Sequence, residues 1–273
     1  MSTLPLATNG TSALELARSV IYDAGQILLD RLNKEMNVRQ KGRADIVTDV
    51  DYEVERFVLG RLREAYPDFG ILAEESGAGG DATATYTWIV DPLDGTRNYA
   101  MGVPLFAVTM ALARGDEVVL GLTFDPTRGE LFTAEHGRGA FLNGEPISIS
   151  SGADFAGAVI GTDMGYNDAM AAYAIQLLDR LWPGMQAIRI MGSAALGLAY
   201  AAAGRIDLYF HHHLASWDIA AGILLAHEAG GVVTDRNGRP ITIQSPSILL
   251  SNRALHTEFL RRTEGLPWRD AEG

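Results

Sequence analysis

An apolar run that ends in two closely spaced carboxylates is the feature that most constrains how this chain can fold. The residues Trp-Ile-Val at 88–90 lead directly into Asp91, and Asp94 follows three positions later. Aromatic and β-branched residues predict a buried strand over 86–90 that ends at Asp91. Pro92 lacks a backbone donor and stiffens the turn between the two acids. A strand with this ending holds two carboxylates close enough to share a divalent cation.

Two small residues, Gly95 and Thr96, follow the second carboxylate at once. If a helix begins here, its free N–H groups and its dipole favour an anion such as phosphate. Gly95 allows close approach of the backbone to that anion, and the Thr96 hydroxyl can position a water. The Leu93 carbonyl adds a further candidate ligand for a cation. This stretch therefore predicts cation ligands, an anion site and a hydroxyl side by side.

Three further acids stand where predicted helices begin or a predicted strand ends. Asp51 and Asp218 lie in the first turn of a helix, and Glu74 follows a short apolar strand. Each also has a purely structural interpretation: Asp51 follows Thr48 at capping-box spacing, and Asp218 suits a helix dipole. Glu74 and Glu75 can form a solvated turn. If these acids meet, cations are required, because two carboxylates ~4 Å apart repel by about 4 kcal/mol at an effective dielectric near 20.

Hydrophobic periodicity and turn residues predict a layered α/β (α+β) chain rather than strict strand–helix repetition. The predicted helices cover 12–33, 48–66, 169–181, 193–203, 216–229 with Ser216 as its N-cap, and a last segment from about 254. The predicted strands cover 71–73, 86–90, 106–113, 118–124, 130–134, 159–162, 188–190, 206–210 and 248–250, and 41–45 reads as a loop. The polar patch 150–154 predicts a boundary between an N-terminal α+β subdomain, 1–150, and a C-terminal α/β subdomain, 151–273.

Composition narrows the class of protein. The 273 residues are 47% hydrophobic, enough for a large core, and the formal net charge of −12 argues against a nucleic-acid surface, which needs clustered Lys and Arg. The N-terminus lacks the pattern of a signal peptide, no apolar run is long enough to span a bilayer, and cysteine is absent. We therefore expect a cytoplasmic protein without membrane or nucleic-acid partners. An acidic protein can still bind a phosphate ester when metal ions supply the positive charge.

The chain resembles, over nearly its whole length, the inositol monophosphatase family of Mg²⁺-dependent, lithium-sensitive sugar-phosphate phosphatases. Five blocks in the family's order carry the resemblance: 45–51, 73–76, 88–96, 192–195 and 216–231. Of these, 88–96 and 216–231 look like the two signatures of the family. The resemblance implies a sugar-phosphatase fold, which is a layered sandwich of alternating helices and sheets, and a homodimer.

The resemblance also implies a role for each matching acid. Glu74, Asp91 and the Leu93 carbonyl would bind a first Mg²⁺, and Asp91, Asp94 and Asp218 would bind a second. Glu74 would contact a weaker third ion, so two or three ions are expected per site. The N-terminal subdomain would hold most of these ligands, and the C-terminal subdomain would complete the metal and substrate site.

The same resemblance implies how the phosphate reacts. Thr96 and Glu74 would activate the attacking water, and Asp51 would bind or orient metal-bound water. The backbone amides of Gly95 and Thr96 would hold the phosphate. The implied reaction is in-line attack of a metal-activated water on a phosphomonoester, without a phosphoenzyme intermediate.

The substrate side of the implied site departs from the family's pattern. The implied substrate contacts are Asp94, Gly192, Ser193, Ala194, His211 and Asp218. His211 stands where the animal inositol enzymes place a glutamate that contacts inositol hydroxyls. It opens the histidine run 211–213, which we expect at the surface rather than in a metal site. The loop around Lys41 is one residue shorter than in those enzymes, and 163–166 lacks a clear counterpart to their sugar-contact segment.

The sequence leaves the phosphate ester open. The favoured substrate is inositol 1-phosphate or a related polyol or sugar phosphate. Fructose-1,6-bisphosphatase, histidinol-phosphatase and 3′-phosphoadenosine phosphatase activities are the alternatives within the same fold. A non-enzymatic role as a partner of the transcription machinery, which some bacterial relatives have, is less favoured because the chain keeps every implied metal ligand.

Overall fold

The structure, a computed structural model, describes residues 4–42, 45–80 and 83–270. Residues 43 and 44 of the predicted loop 41–45 lie outside the described residues. The α-helices in the described ranges are α1 (Ala13–Arg31), α2 (Asp49–Ala65), α3 (Thr96–Ala100), α4 (Asp168–Leu181), α5 (Ala194–Ala202), α6 (Ser216–Glu228), α7 (Arg253–Arg262) and α8 (Pro267–Asp270). None of these helices combines the length and the apolar composition that crossing a bilayer requires.

The strands of the described residues form three sheets. In chain order they are β1 (Val38–Gln40), β2 (Ile46–Thr48), β3 (Gly70–Ala73), β4 (Gly77–Gly79), β5 (Tyr86–Asp94), β6 (Ala107–Arg114), β7 (Glu117–Asp125), β8 (Glu130–Glu135), β9 (Gly139–Leu142), β10 (Glu145–Pro146), β11 (Val159–Thr162), β12 (Ala187–Ile190), β13 (Leu208–His211), β14 (Val232–Thr234) and β15 (Ile248–Ser251). The sheet orders are β1-β2, β10-β9-β8-β7-β6-β5-β3-β4 and β12-β11-β13-β15-β14. Parallel pairing is found between β3 and β5 and between β11 and each of its neighbours, and the remaining pairs are antiparallel.

Helices and sheets alternate in layers. The helices α1 and α2 pack against one face of the eight-stranded sheet, and α5 and α6 pack against its other face. The opposite side of the α5–α6 layer contacts the five-stranded sheet. The far face of that sheet is covered by α4, α7 and α8. The predicted sandwich of alternating helices and sheets is therefore confirmed.

The apolar core continues across the predicted boundary at 150–154. One buried cluster joins Ile89 and Phe132 of the eight-stranded sheet to Ala199 of α5 and Leu225 of α6. Burial of apolar surface is favourable by roughly 25 cal/mol per Å², so this shared cluster stabilises both halves together. The division of the chain into two subdomains stays a prediction.

Local capping signals explain where α2 and α6 begin. Thr48 and Asp51 form the predicted capping box at the start of α2. The predicted N-cap at Ser216 is wrong, because Ala215 holds that position and Ser216 is the first residue of α6. The cap forms without a polar side chain at the N-cap itself, because the Asp218 carboxylate accepts from the Ala215 N–H.

The strand that carries the two central acids is longer than predicted. The prediction ended it at Asp91, whereas β5 continues to Asp94. Its pairing with β6 shifts register between Asp91 and Asp94, as in a β-bulge. Side chains three positions apart on a regular strand project to opposite faces of a sheet. The irregularity therefore allows both carboxylates to reach one site.

Candidate active site

Three carboxylates from two elements meet at the end of β5. Oxygens of Asp91, Asp94 and Asp218 lie within 4.8 Å of one another. Asp218 comes from the first turn of α6, where its Oδ2 accepts a hydrogen bond from the Ala215 N–H at 2.7 Å. The structure thus brings together three of the predicted metal ligands, two from one half of the chain and one from the other.

Burial raises the pKa of all three carboxyls, and mutual repulsion adds to the rise. The charges of Glu74, Asp94 and Asp218 raise the pKa of Asp91 further, and the charge of Asp94 does the same for Asp218. Burial also raises the pKa of Asp94, against the hydrogen bond from Ser193. Hard divalent cations take carboxylate oxygens as ligands and would displace the protons that such a cluster retains. The donor set therefore fits a metal ion.

Asp94 is also held by the N-terminus of α5. The Ser193 hydroxyl donates to Asp94 Oδ2, and the amides of Ala194 and Ala195 donate to the same carboxylate at 3.2 and 3.1 Å. A carboxylate at the N-terminus of a helix is stabilised by the helix dipole. Gly192, Ser193 and Ala194, the segment expected to contact substrate, all line the same cleft as Asp94.

Asp51 lies behind Thr96, and its structural interpretation as the capping-box acid of α2 is confirmed. Its Oδ2 accepts from the Thr48 amide at 2.8 Å and from the Thr48 hydroxyl at 2.5 Å, so it is a capping-box acid. Its Oδ1 accepts from the Thr96 hydroxyl at 2.9 Å. Burial raises the pKa of Asp51 to about 6, against the hydrogen bonds from Thr48 and Thr96. Because Asp51 is fully buried, its contact with the cleft runs through Thr96.

Glu74 lines the same cleft and pairs with a lysine. Lys41 Nζ donates to Glu74 Oε1 at 3.0 Å and to Glu75 Oε1 at 2.5 Å. Burial raises the pKa of Glu75 to about 7, against the hydrogen bond from Lys41. Glu74 is outside the group of three carboxylates described above, although its charge contributes to the raised pKa of Asp91. A metal ion bound by Glu74 would share this carboxylate with the Lys41 ammonium.

Gly95 occupies the turn from β5 into α3, where a side chain does not fit. Its φ of +89° is left-handed, and a Cβ there would lie 2.9 Å from the Leu105 carbonyl oxygen and 3.2 Å from that of Gly192. Thr96 then begins α3, and its hydroxyl lies 3.0 Å from the Leu93 carbonyl oxygen. The predicted anion site and the predicted cation ligands are therefore adjacent in space.

One cleft of about 460 Å³ is lined by Glu74, Asp91, Leu93, Asp94, Gly95, Thr96, Gly192, Ser193, Ala194 and Asp218. Its acidic lining residues are Asp45, Glu74, Asp91, Asp94, Asp163 and Asp218. Of the described residues that line the cleft, Arg97 is the one lysine or arginine. A phosphate dianion would be repelled here unless bound cations reversed the local field. The cleft is therefore suited to an anionic ligand together with metal ions.

The histidine run 211–213 is only partly at the surface. His211 and His212 are buried, at 2% and 1% exposed, and their rings stack with centroids 4.9 Å apart. The predicted surface position is wrong for these two residues, because β13 continues through His211 into the packed interior. His213 is exposed, and its amide donates to His211 Nδ1 at 3.1 Å. Burial lowers the pKa of His211 well below its ordinary value, so the ring that lines the cleft is neutral.

Comparison with known proteins decides the family. The model of the inositol monophosphatase family matches residues 11–266. The chain belongs to the inositol monophosphatase family. Membership of this family makes the protein a metal-dependent phosphatase that acts on small phosphorylated substrates.

Individual members of the inositol monophosphatase family are similar over most of the chain. The Nus factor SuhB of Xylella fastidiosa is 43% identical over 229 residues, which are 83% of this chain and 82% of that protein. The inositol-1-monophosphatase of Mesorhizobium japonicum is 36% identical over 252 residues, 92% of each chain. The crystal structure of the extragenic suppressor protein suhB from Bartonella henselae superposes with a TM-score of 0.88 at 35% identity and covers 92% of this chain and 98% of that one.

Several residues of this inositol monophosphatase family member line the cleft without having been assigned a role from the sequence. They are Asp45, Arg97, Asp163, Tyr166 and His213. Asp163 could have been identified from the sequence, because it directly follows the apolar strand β11, as Glu74 and Asp91 follow the predicted strands that pointed to them. The remaining four follow no strand in this way, although Arg97 directly follows Thr96 and His213 lies in the same histidine run as His211.

Proposed function

We propose that this protein is a Mg²⁺-dependent phosphomonoesterase that hydrolyses inositol 1-phosphate or a related polyol or sugar phosphate. The observation that carries the proposal is the group of three carboxylates within 4.8 Å of one another, in a cleft with six acidic lining residues. Bound Mg²⁺ would lower the pKa of a coordinated water and offset charge on the leaving oxygen. A phosphate ester can approach this cleft only with such cations in place.

The proposed metal ligands are those that the family resemblance implies, and the positions of Asp91, Asp94 and Asp218 support three of them. Asp91, Asp94 and Asp218 would hold one ion between them, and Asp91 would bridge to a second ion bound by Glu74 and the Leu93 carbonyl. Their oxygens are the ligand type that Mg²⁺ prefers. Lys41 contacts Oε1 of Glu74, so Oε2 would be the oxygen that Glu74 offers to the second ion while this ion pair is kept. Two or three ions per site therefore stay part of the proposal.

The proposed water-positioning group is Thr96. Its hydroxyl can donate its one hydrogen bond to Asp51 Oδ1 at 2.9 Å or to the Leu93 carbonyl oxygen at 3.0 Å. In either case the lone pairs of the hydroxyl oxygen can accept a hydrogen bond from the attacking water. Glu74 would assist as the second acceptor for that water. The amides of Gly95 and Thr96 would hold the phosphate, since both residues line the cleft beside the carboxylates.

The substrate's carbon skeleton would contact the wall formed by Gly192, Ser193, Ala194 and His211, which line the same cleft as Thr96. The name of the Mesorhizobium japonicum relative supports inositol 1-phosphate as the first substrate to test. His211 would present a neutral imidazole to that substrate. A homodimer and a cytoplasmic location stay predictions.

A panel of phosphate esters tests the proposed activity. Purified protein would be assayed with inositol 1-phosphate, fructose 1,6-bisphosphate, histidinol phosphate and 3′-phosphoadenosine 5′-phosphate, with Mg²⁺ and with added Li⁺. We expect Mg²⁺-dependent, Li⁺-inhibited turnover that is fastest for inositol 1-phosphate. Equal and weak turnover of all four esters would refute a dedicated inositol enzyme.

Matched variants test the proposed ligands. Asp91→Asn, Asp94→Asn and Glu74→Gln should each nearly abolish turnover at saturating Mg²⁺. Asp154→Asn is the control, because Asp154 caps a short 3₁₀ helix by accepting from the Ala156 amide at 3.0 Å and asparagine keeps that acceptor. Near-normal turnover in any of the three ligand variants would remove that residue from the proposed site.

A second candidate function is a role as a partner of the transcription machinery. The name of the Xylella fastidiosa relative, a Nus factor, favours it. The net charge of −12 offers no support for nucleic-acid contact. A pull-down with the Asp94→Asn variant separates the candidates: retention of transcription proteins by a variant without phosphatase activity would favour the second function.

A further inference from the structure

Asp163 is a buried acid to which the proposed reaction assigns no task. It follows β11 directly and is only 7% exposed. Its Oδ1 accepts hydrogen bonds from two successive backbone amides, Met191 at 2.8 Å and Gly192 at 2.5 Å. Its Oδ2 accepts from the Tyr209 hydroxyl at 2.8 Å. All three donors are uncharged, so this carboxylate is held by hydrogen bonds from neutral groups.

The segment that Asp163 contacts is fixed from its other side as well. The Asn98 side-chain amide donates to the Met191 carbonyl oxygen at 2.7 Å and to the Leu105 carbonyl oxygen at 2.7 Å. Gly192 has a left-handed φ of +70°. Glycine also adopts many other conformations, so contacts from neighbouring residues are needed to hold this one. Asp163 and Asn98 therefore both hold the Met191–Gly192 peptide unit, Asp163 through its N–H and Asn98 through its C=O.

The residues immediately after the bend hold Asp94. Ser193 donates its hydroxyl to the Asp94 carboxylate, and the next two amides donate to the same group at 3.2 and 3.1 Å. An error of about 1 Å at the bend would be passed directly to these three donors, because no flexible linker separates them from Gly192. The orientation of Asp94 thus depends on the bend that Asp163 fixes.

We propose that Asp163 is a positioning residue that fixes the Met191–Gly192 bend and thereby orients Asp94 for metal binding. The proposal rests on the proposed function, which assigns Asp94 to the metal site. Tyr209 anchors Asp163 to β13, two residues before His211. One carboxylate thus ties β13, which carries His211, to the segment that holds Asp94.

Direct titration of Mg²⁺ into the full-length protein, by calorimetry and without substrate, tests this role. Asp163→Ala leaves both amides without their acceptor, and we expect its affinity for Mg²⁺ to fall by about 10-fold or more, as for other groups that orient metal ligands. Asp163→Asn keeps one oxygen for both amides and should bind Mg²⁺ within about threefold of the wild type. Asp163→Leu, which has the same branching and no acceptor, replaces the alanine variant if that variant does not fold.

Asp125 provides the matched control. It is also a buried acid whose Oδ1 accepts from two successive amides, those of Thr127 at 2.9 Å and Arg128 at 3.2 Å. Asp125 is outside the lining of the cleft. Asp125→Ala should therefore reduce the melting temperature and leave the Mg²⁺ affinity unchanged.

The possible results separate this inference from the proposed function. If the wild type binds Mg²⁺ and Asp163→Ala or Asp163→Leu binds it equally well, Asp163 does not position the site and the inference is overturned. An equal loss of affinity in Asp163→Asn would also overturn it, because charge rather than the acceptor geometry would then be responsible. A wild type that does not bind Mg²⁺ would reject the proposed function itself, and the inference with it.

Discussion

Replacement of Asp218 by asparagine should stabilise the metal-free protein while removing most of its response to Mg²⁺. Asp218 is one of three acids whose oxygens lie within 4.8 Å of one another. Its charge is unfavourable there, because burial and the charge of Asp94 raise its pKa. Asparagine keeps a side-chain oxygen that can accept from the Ala215 amide, now bound at 2.7 Å. The substitution therefore removes the negative charge and keeps the hydrogen bond to the Ala215 amide.

The size of the expected stabilisation follows from Coulomb's law. Two unit charges at the 4.8 Å limit of this group repel by about 3.5 kcal/mol at an effective dielectric of 20. We take the repulsion of one such pair as the expected gain in the free energy of unfolding. A second pair is not counted, because protons retained by the cluster relieve part of the repulsion. At about 2 °C per kcal/mol for a chain of this size, the melting temperature should rise by about 7 °C.

The stabilisation by Asp218→Asn should increase with pH. A folded-state pKa above the unfolded-state value means that the folded protein binds more protons between the two values. The contribution of such a carboxyl to the free energy of unfolding is therefore lost as the pH rises through the folded-state pKa. Because the pKa of Asp218 is raised in this way, the free energy of unfolding of the wild type falls as the pH rises. The variant has no carboxyl at position 218, so its free energy of unfolding does not fall for this reason. We expect the difference between the two proteins to be larger at pH 8 than at pH 5.

Thermal melts by calorimetry in EDTA, at both pH values, measure this difference. Repetition with Mg²⁺ at 100 times its Kd should stabilise the wild type by about 2.7 kcal/mol and the variant by much less. Asp154→Asn is again the control, because it makes the same change in net charge outside the cleft. If Asp218→Asn melts no higher than the wild type in EDTA at pH 8, the three carboxylates do not repel as argued and the electrostatic reasoning is wrong.

Three further substitutions test other parts of the structure. Thr96→Ala should reduce kcat by about 100-fold, as expected for a lost water-positioning hydroxyl. It should also lower the melting temperature by about 2–6 °C, because the buried Asp51 Oδ1 loses its hydrogen bond; normal turnover would exclude the hydroxyl from the reaction. His211→Gln should change the ratio of kcat/KM between inositol 1-phosphate and the other esters by about tenfold, and a weakened Mg²⁺ titration would instead make His211 a metal ligand. Gly197→Ala should destabilise the fold by about 1–3 kcal/mol, because its Cβ would lie 2.2 Å from Tyr209 Cε2. Gly60→Ala in α2 is the control for the same melts, because its Cβ would meet nothing within 4 Å and should not destabilise the fold.

Elements whose signals are local were predictable from the sequence. The periodic apolar positions of α1 and α4 placed both helices within two residues of their observed ends, and β11 has the predicted bounds. The short strands β1, β2, β4, β9, β10 and β14 were missed. The residues of β1 are all exposed and β4 is Gly-Ala-Gly, so pairing with a neighbouring strand, rather than any local pattern, makes these segments extended.

The candidate site was predictable where an acid follows an apolar strand or begins a helix. Asp91, Asp94 and Asp218 were identified in this way, and they do meet. The pairing of Glu74 with Lys41 was not predictable, because the two residues belong to segments that only tertiary packing brings together. His211 was misplaced because a run of three histidines is polar by composition, whereas its burial follows from the length of β13.

The cluster that joins Ile89 and Phe132 to α5 and α6 has a consequence for synthesis of the protein on the ribosome. When the eight-stranded sheet has been translated, one of its apolar faces has no covering layer, because α5 begins only at Ala194. A nascent chain at this stage exposes a surface prone to association. The same late layer delivers Asp218, so the three-carboxylate group forms only in a chain that has already covered that face.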